Sequence, residues 1–154
     1  MAGENGGGGG GAGGGGAGED GAGGDGVGGA GDGRARWAAV TVDCVDPRRV
    51  ADFWGRLLGT PTRPVDGLPG WLRLGPTVAG GPVITFQPVP EEKAGKTRIH
   101  LDLWVDDLDA AMGTVAALGG RHSGETHRYD DGTVAVMADA EGNEFCLVGP
   151  PGSG

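Results

Sequence analysis

The sequence contains little that would cross-link the chain, anchor it in a membrane or attract nucleic acid. Its two cysteines, Cys44 and Cys146, form no Cys-x-x-Cys pair, which argues against a disulfide framework and favours the reducing cytoplasm. No apolar run reaches the ~18 residues of a membrane span, and the first 33 residues lack the apolar centre of a signal peptide. There is no basic run and the net charge is −9, so we expect no binding to nucleic-acid phosphates.

Familiar catalytic signatures are absent as well. The sequence has no His-Glu-x-x-His motif and no Ser, His and Asp in the order of a hydrolase triad. Its long glycine tract does not act as a phosphate-binding loop, because no strand precedes it and no helix follows it.

Glycine, by contrast, is abundant and unevenly distributed. Of 37 glycines, 20 lie within Met1–Gly33, together with five acidic residues and no basic one. Such a tract cannot bury enough apolar surface to offset its conformational entropy. Residues 1–33 are therefore predicted to be a disordered tail, either a flexible extension or an over-extended gene start. The rest of the chain, with 12 basic and 16 acidic residues, fits one folded domain over residues 34–150.

This domain contains an internal repeat. An extended segment, Val40–Asp46, leads into an amphipathic run that ends at Gly59, and a second segment, His100–Asp106, leads into another that ends at Gly119. The distance from the acidic residue to the glycine is the same in both units. An acidic N-cap, a proline at the first helical position of the first unit and a glycine stop each predict a helix of about three turns.

Short extended segments separated by turns follow each helix. They lie at 71–74 and 82–89 in the first unit and at 121–129, 133–139 and 143–148 in the second, while residues 59–70 are too interrupted by turn residues to place a strand. The predicted fold class is α+β, with two βαβββ modules over residues 37–92 and 96–149.

Five segments carry a resemblance to a known superfamily. They are Asp43-Cys-Val-Asp-Pro47, Ala51-Asp-Phe-Trp-Gly-Arg-Leu-Leu-Gly59, Phe86-Gln-Pro-Val-Pro-Glu91, Lys96-Thr-Arg-Ile-His-Leu-Asp-Leu103 and Asp139-Ala-Glu-Gly-Asn-Glu-Phe-Cys146. In this order they resemble the vicinal-oxygen-chelate superfamily, which includes glyoxalases, bleomycin resistance proteins and extradiol dioxygenases, and within it the small glyoxalase-like domains. The resemblance implies two modules that form a curved mixed sheet around a cleft.

Strand alternation assigns residues to the faces of the predicted sheet. Leu101, Leu103 and Val105 face the helix, so His100, Asp102 and Trp104 face the cleft. In the first strand Thr41 and Asp43 face the cleft, and the two strand faces match at an offset of 61 residues. We predict His100 and Asp43 as catalytic candidates, although a structural histidine and a solvated carboxylate are the alternatives. The other predicted cleft residues are Thr41, Thr85, Gln87, Arg98, Asp102, Trp104, Glu144 and Cys146.

In metal-dependent relatives, the resemblance implies a divalent ion held by the first and last strands of each module. His100 matches one of those four positions. The others fall at Ala39 or Val40, at Thr85 and at Cys146, which is not the His and carboxylate set of a catalytic metal site. We therefore expect no metal or other cofactor. A displaced divalent site built from His100, Glu144 and Asp43 is the alternative.

These expectations lead to three hypotheses for function. The first is a cytoplasmic domain that binds a small organic molecule in its cleft without the usual four-ligand metal site, either sequestering it or acting on it. The second is a metal-dependent lyase, isomerase or dioxygenase-type enzyme with a displaced ligand set, and the third is an accessory protein whose cleft is vestigial. An intramolecular cleft is the simpler arrangement of the two modules, and the resemblance implies a homodimer.

Overall fold

A computed structural model of the chain describes residues 37–75 and 82–152. The predicted tail over residues 1–33 lies outside these ranges. The elements follow in the order β1 (Ala39–Cys44), α1 (Pro47–Leu57), β2 (Thr62–Pro64), β3 (Leu72–Leu74), β4 (Val83–Pro88), β5 (Asp102–Trp104), α2 (Leu108–Ala117), β6 (Arg121–Tyr129), β7 (Gly132–Ala138) and β8 (Glu144–Gly149). This order confirms the α+β fold of two βαβββ modules.

The strands form two mixed sheets of four strands each. Their orders are β1-β4-β3-β2 and β5-β8-β7-β6, with the first and last strands of each module paired in parallel. Thr41 pairs with Thr85 in the first sheet, and Asp102 pairs with Cys146 in the second. In both pairs the two residues lie 44 positions apart, so the first and last strands of the two modules pair in the same register.

The two helices begin and end where local chemistry predicts. The Asp46 carboxylate accepts hydrogen bonds from the backbone N–H groups of Arg48 and Arg49, and Pro47 occupies the first helical position of α1. Asp107 caps α2 by accepting from the N–H of Ala110. Both helices are followed by a glycine with positive φ, 62° at Gly59 and 90° at Gly119, a conformation that glycine adopts without a steric penalty.

The core joins the two modules through α1. Phe53 and Trp54 are buried on this helix, and their rings lie 6.0 and 4.9 Å from the ring of Phe145 in β8. In the second module, Leu108 and Val115 bring α2 into the same buried cluster. Neither helix within the described ranges is long and apolar enough to cross a membrane.

The turn between β7 and β8 also connects the modules. Glu141 accepts hydrogen bonds from the backbone N–H groups of Val45 and Asp46 at 2.8 and 2.7 Å, just before α1 begins. Arg49 of α1 donates to the carbonyl oxygen of Ala140. The sequence predicted a tight turn here, but it did not predict that the turn holds the start of the first helix.

Candidate functional site

A cavity of about 240 Å³ opens on the sheet of the second module. We call it the second-module cavity. Its position follows from the pairing of three strands, because β7 places Val136 opposite Cys146 of β8 and Val134 opposite His127 of β6. The cavity is lined by Lys96, Thr97, His100, Glu125, His127, Tyr129, Val134, Val136, Glu144, Phe145 and Cys146.

Three donor atoms of different chemistry lie close together beside this cavity, which His100 and Cys146 line and Asp102 does not. The parallel pairing of β5 with β8 places Asp102 beside Cys146, and His100 precedes β5 by two residues. The Nδ1 atom of His100 lies 2.8 Å from Oδ1 of Asp102 and 3.5 Å from Sγ of Cys146. All three atoms lie within 4.8 Å of one another. We call these residues the His-Asp-Cys group.

The Cys146 side chain is a protonated thiol at neutral pH. Burial, a hydrogen bond to Asp102 and the negative charge of Asp102 raise the pKa of Cys146 to about 11, against a smaller opposing effect of Lys96. Only a thiolate is a strong nucleophile, so Cys146 does not serve as one in this environment.

Glu144 is held as an anion at the edge of the same cavity. Its Oε2 atom accepts hydrogen bonds from Nζ of Lys93 at 2.9 Å and from the hydroxyl and backbone N–H of Thr97 at 2.8 and 3.2 Å. Burial opposes its ionisation, but these hydrogen bonds outweigh burial and lower the pKa of Glu144 to about 2. Glu144 is therefore already committed to protein partners, and it does not belong to the His-Asp-Cys group.

The predicted cleft residues of the first module lie on its own sheet. The hydroxyls of Thr41 and Thr85 are hydrogen-bonded at 2.8 Å, and Asp43 pairs with Gln87 on the same strands. None of these four lines the second-module cavity. The structure thus brings together His100, Asp102, Glu144 and Cys146 among the predicted residues.

Three further predicted residues, Arg98, Asp102 and Trp104, also stand outside the cavity lining. Trp104 is 82% exposed on β5, and the neighbouring Ile99 is 84% exposed. The alternation of the strand was predicted correctly, since Leu103 packs against the core while Asp102 and Trp104 are exposed. The Trp104 side chain, however, extends into solvent.

Sequence reasoning missed the contribution of β6 to the cavity. Glu125, His127 and Tyr129 occupy alternate positions on this strand and all line the cavity. A period of two among polar and aromatic residues was the available signal.

The described residues do not reproduce the metal site that the superfamily implies. A site shared by both modules would need ligands at Thr85 and at Ala39 or Val40, and the Thr85 hydroxyl instead bonds to Thr41. The second module alone offers a nitrogen, a carboxylate oxygen and a sulfur within reach of one ion. These donors fit a borderline-soft ion, and they do not reproduce the shared His and carboxylate set.

Comparisons with known proteins agree with this fold. No curated protein matches the sequence. Among solved structures, a glyoxalase/bleomycin resistance protein/dioxygenase family enzyme from Burkholderia phytofirmans superposes with a TM-score of 0.62 at 17% identity, covering 75% of this chain and 99% of that one. A glyoxalase-related enzyme from Fulvimarina pelagi gives a TM-score of 0.58 at 18% identity, covering 74% and 87% of the two chains.

A third similar structure is titled oxidase ChaP-H2. Its TM-score is 0.53 at 20% identity, with 78% of this chain and 98% of that chain covered. At these identities the structures support the fold alone. The sequence itself matches the model of the glyoxalase-like domain over residues 39–148, which spans both modules and every member of the His-Asp-Cys group. The chain therefore belongs to the glyoxalase-like domain family of the vicinal-oxygen-chelate superfamily.

Proposed function

We propose that this domain binds a small organic molecule in the second-module cavity, without the four-ligand metal site of its metal-dependent relatives. The observation that carries the proposal is the cavity itself, where polar side chains surround an apolar floor. Val134 and Val136 form part of that floor, while Lys96, His127 and Tyr129 offer hydrogen-bonding groups around it. Binding sites for small molecules commonly combine an apolar lining with a few convergent polar groups.

The size and charge of the cavity narrow the ligand class. A volume of about 240 Å³ lies below the ~300–1,000 Å³ typical of sites for drug-sized ligands, so a metabolite-sized molecule fits best. Glu144 is neutralised by Lys93, which leaves Lys96 and Tyr129 to bind oxygen atoms of a polar ligand. His100 would contact the ligand at the end of the cavity where it meets Cys146.

A second candidate function is catalytic. The His-Asp-Cys group favours it, because three potential ligands at the edge of a cavity are typical of metal-dependent lyases, isomerases and dioxygenases that leave one coordination position open. A solved structure of similar fold is titled an oxidase. Metal content measured before and after treatment with a chelator distinguishes this candidate from metal-free binding.

We also propose a cytoplasmic location. Both cysteines are free and buried in the structure, and unpaired thiols suit a reducing compartment.

A ligand screen on the full chain tests the proposed function. A compound that binds the native state at 100 times its Kd stabilises the protein by about 2.7 kcal/mol, which a thermal-shift assay detects easily. Native mass spectrometry of the protein purified from its own host would identify a ligand that co-purifies. If no compound in a diverse panel raises the melting temperature, the third hypothesis, an accessory protein with a vestigial cleft, is favoured.

Two matched alanine variants then locate the binding site. His100→Ala removes a side chain from the second-module cavity, whereas Asp43→Ala removes one from the sheet of the first module. We expect the first to weaken binding of a confirmed ligand and the second to leave binding unchanged. Equal weakening by both variants would instead indicate a cleft shared by the two modules, and no effect of either would show that the ligand binds elsewhere.

A further inference from the structure

The first module has a cavity of its own. Its volume is about 380 Å³, and it is lined by Arg48 of α1 and by every residue from Pro64 to Leu72, the segment that joins β2 to β3. We call it the loop cavity. It shares no lining residue with the second-module cavity, and its volume falls within the ~300–1,000 Å³ that is typical of sites for small ligands.

Hydrogen bonds within the loop hold the wall of this cavity in place. The backbone N–H of Val65 donates to the carbonyl oxygen of Trp71 at 3.1 Å, and the N–H of Trp71 donates to the carbonyl oxygen of Leu68 at 3.1 Å. Gly70 lies so close to β4 that a Cβ atom there would be 3.4 Å from Cγ of Pro88. The wall is therefore already formed, and a ligand does not have to order it on binding.

The loop cavity contains one positive and one negative side chain, Arg48 and Asp66. The backbone N–H of Arg48 is bound by the Asp46 cap. Among residues 37–75 and 82–152, however, the guanidinium group of Arg48 and the carboxylate of Asp66 have no hydrogen-bond or ion-pair partner. They do not pair with each other either, so a ligand can contact each of them separately.

The remaining side chains of the loop cavity are mostly apolar. Val65 and Trp71 are half-buried and Leu68 is 44% exposed, so all three present apolar surface to a ligand. An indole ring packs well against aliphatic and aromatic groups. The cavity thus combines a carboxylate-binding guanidinium, an ammonium-binding carboxylate and an apolar wall.

We propose that the loop cavity binds a free amino acid with an apolar side chain. Arg48 binds the α-carboxylate, Asp66 binds the α-ammonium group, and Leu68 and Trp71 contact the side chain of the ligand. A simple carboxylate would be repelled by Asp66 and a simple amine by Arg48, so the zwitterion is favoured over both. This proposal does not rest on the proposed function, because it uses different residues in the other module.

Isothermal titration calorimetry of the full chain tests the ligand class. The probes are L-phenylalanine and L-leucine, with two analogues of phenylalanine: hydrocinnamate, which lacks the ammonium group, and phenethylamine, which lacks the carboxylate. We expect both amino acids to bind at one site. Each analogue loses one charge-assisted interaction, so its Kd should be at least ~10-fold higher than that of L-phenylalanine.

Two variants assign the charged contacts. Arg48→Gln should raise the Kd for L-phenylalanine at least ~10-fold without weakening phenethylamine, which has no carboxylate to lose. Asp66→Asn should weaken L-phenylalanine by a similar factor without weakening hydrocinnamate. A general loss of structure could not produce these opposite selectivities. Arg63→Gln and Asp109→Asn change exposed residues of the same types outside the cavity lining, and we expect both to leave every Kd unchanged.

Three results would overturn the proposal. They are no binding of either amino acid at ~10 mM, an analogue that binds as tightly as L-phenylalanine, and loss of L-phenylalanine binding in His100→Ala. The last result would place the amino acid in the second-module cavity and so support the proposed function instead. An organic ligand that depends on His100 but not on Arg48 would leave the proposed function intact whatever the outcome at the loop cavity.

Discussion

Substitution of Asp139 should lower the free energy of unfolding, because this residue connects the turn between β7 and β8 to helix α1 of the first module. This carboxylate is fully buried in the turn between β7 and β8, and it accepts four hydrogen bonds. Its Oδ1 atom accepts from the backbone N–H groups of Glu141 and Asn143 at 2.9 and 3.0 Å, within the turn. Its Oδ2 atom accepts from the Asn143 side-chain amide at 2.9 Å and from Nε1 of Trp54 in α1 at 3.1 Å.

Asp139→Asn keeps the shape of the side chain and changes one acceptor into a donor. With the remaining oxygen facing the backbone N–H groups, the new amide group faces two other donors, the Trp54 indole and the Asn143 side chain. Hydrogen bonds to charged groups contribute about 1.5–3 kcal/mol each, and part of the loss is recovered when the side chains relax. We therefore expect a loss of about 3 kcal/mol in the free energy of unfolding, or a fall of ~12 °C in Tm for a domain of this size.

Urea unfolding followed by far-ultraviolet circular dichroism measures the loss, and a double-mutant cycle tests its cause. Trp54→Phe removes the indole donor while keeping an aromatic ring in the core. In the presence of Trp54→Phe, the amide of Asp139→Asn meets one donor fewer, so the two changes should be coupled by at least ~1 kcal/mol. A loss below ~1 kcal/mol in Asp139→Asn, or strict additivity with Trp54→Phe, would refute the reasoning.

The remaining predictions concern packing, pH and assembly. A Cβ atom at Gly120 would lie 2.6 Å from a backbone carbonyl oxygen, whereas one at Gly113 in α2 would meet nothing within 4 Å. Gly120→Ala should therefore cost at least ~2 kcal/mol of stability, while Gly113→Ala should gain up to ~1 kcal/mol, and urea titrations giving the reverse order would contradict the packing. The pKa of Glu144 is lowered from 4.5 to about 2 in the folded state, so its stabilising effect is complete above pH 4.5 and is lost as the pH falls towards 2. Glu144→Gln should remove about 1–2 kcal/mol of this pH-dependent stability, and parallel stability curves for wild type and variant between pH 5 and pH 2 would argue against it. The exposed apolar side chains of Ile99 and Trp104 are the basis of the last prediction, that light scattering should give a homodimer, which Ile99→Lys converts to a monomer. A wild-type chain that is monomeric at high concentration would contradict it.

Local chemistry explains why the helices could be predicted closely. The carboxylate of Asp46, the ring of Pro47 and the positive φ of Gly59 all act within a few residues of the helix ends, so a single sequence contains the needed information. Strand β2, by contrast, is only three residues long between proline-rich turns. It exists through its pairing with β3, and no local pattern could place it.

Part of the candidate site could likewise be predicted from local sequence, and part of it could not. Alternation along one strand was enough to place Asp102 with Trp104 on a face opposite Leu103. The identity of the neighbours across the sheet depends on register between distant strands, and the β6 side chains of His127 and Tyr129 reach the cavity through pairing with β7. The contact between Trp54 and Asp139 spans 85 residues, so the sequence could predict the turn but not its buried partner.

The internal repeat provides the most informative comparison in the molecule. Thr41 and Thr85 hold the same paired position in the first module that Asp102 and Cys146 hold in the second. In the first module the two neutral hydroxyls bond to each other at 2.8 Å, which satisfies both groups without an ion or a ligand. In the second module the same position holds a carboxylate and a thiol, with His100 completing the group. Since the strand register is the same in both modules, the difference in chemistry at this position comes from these side chains.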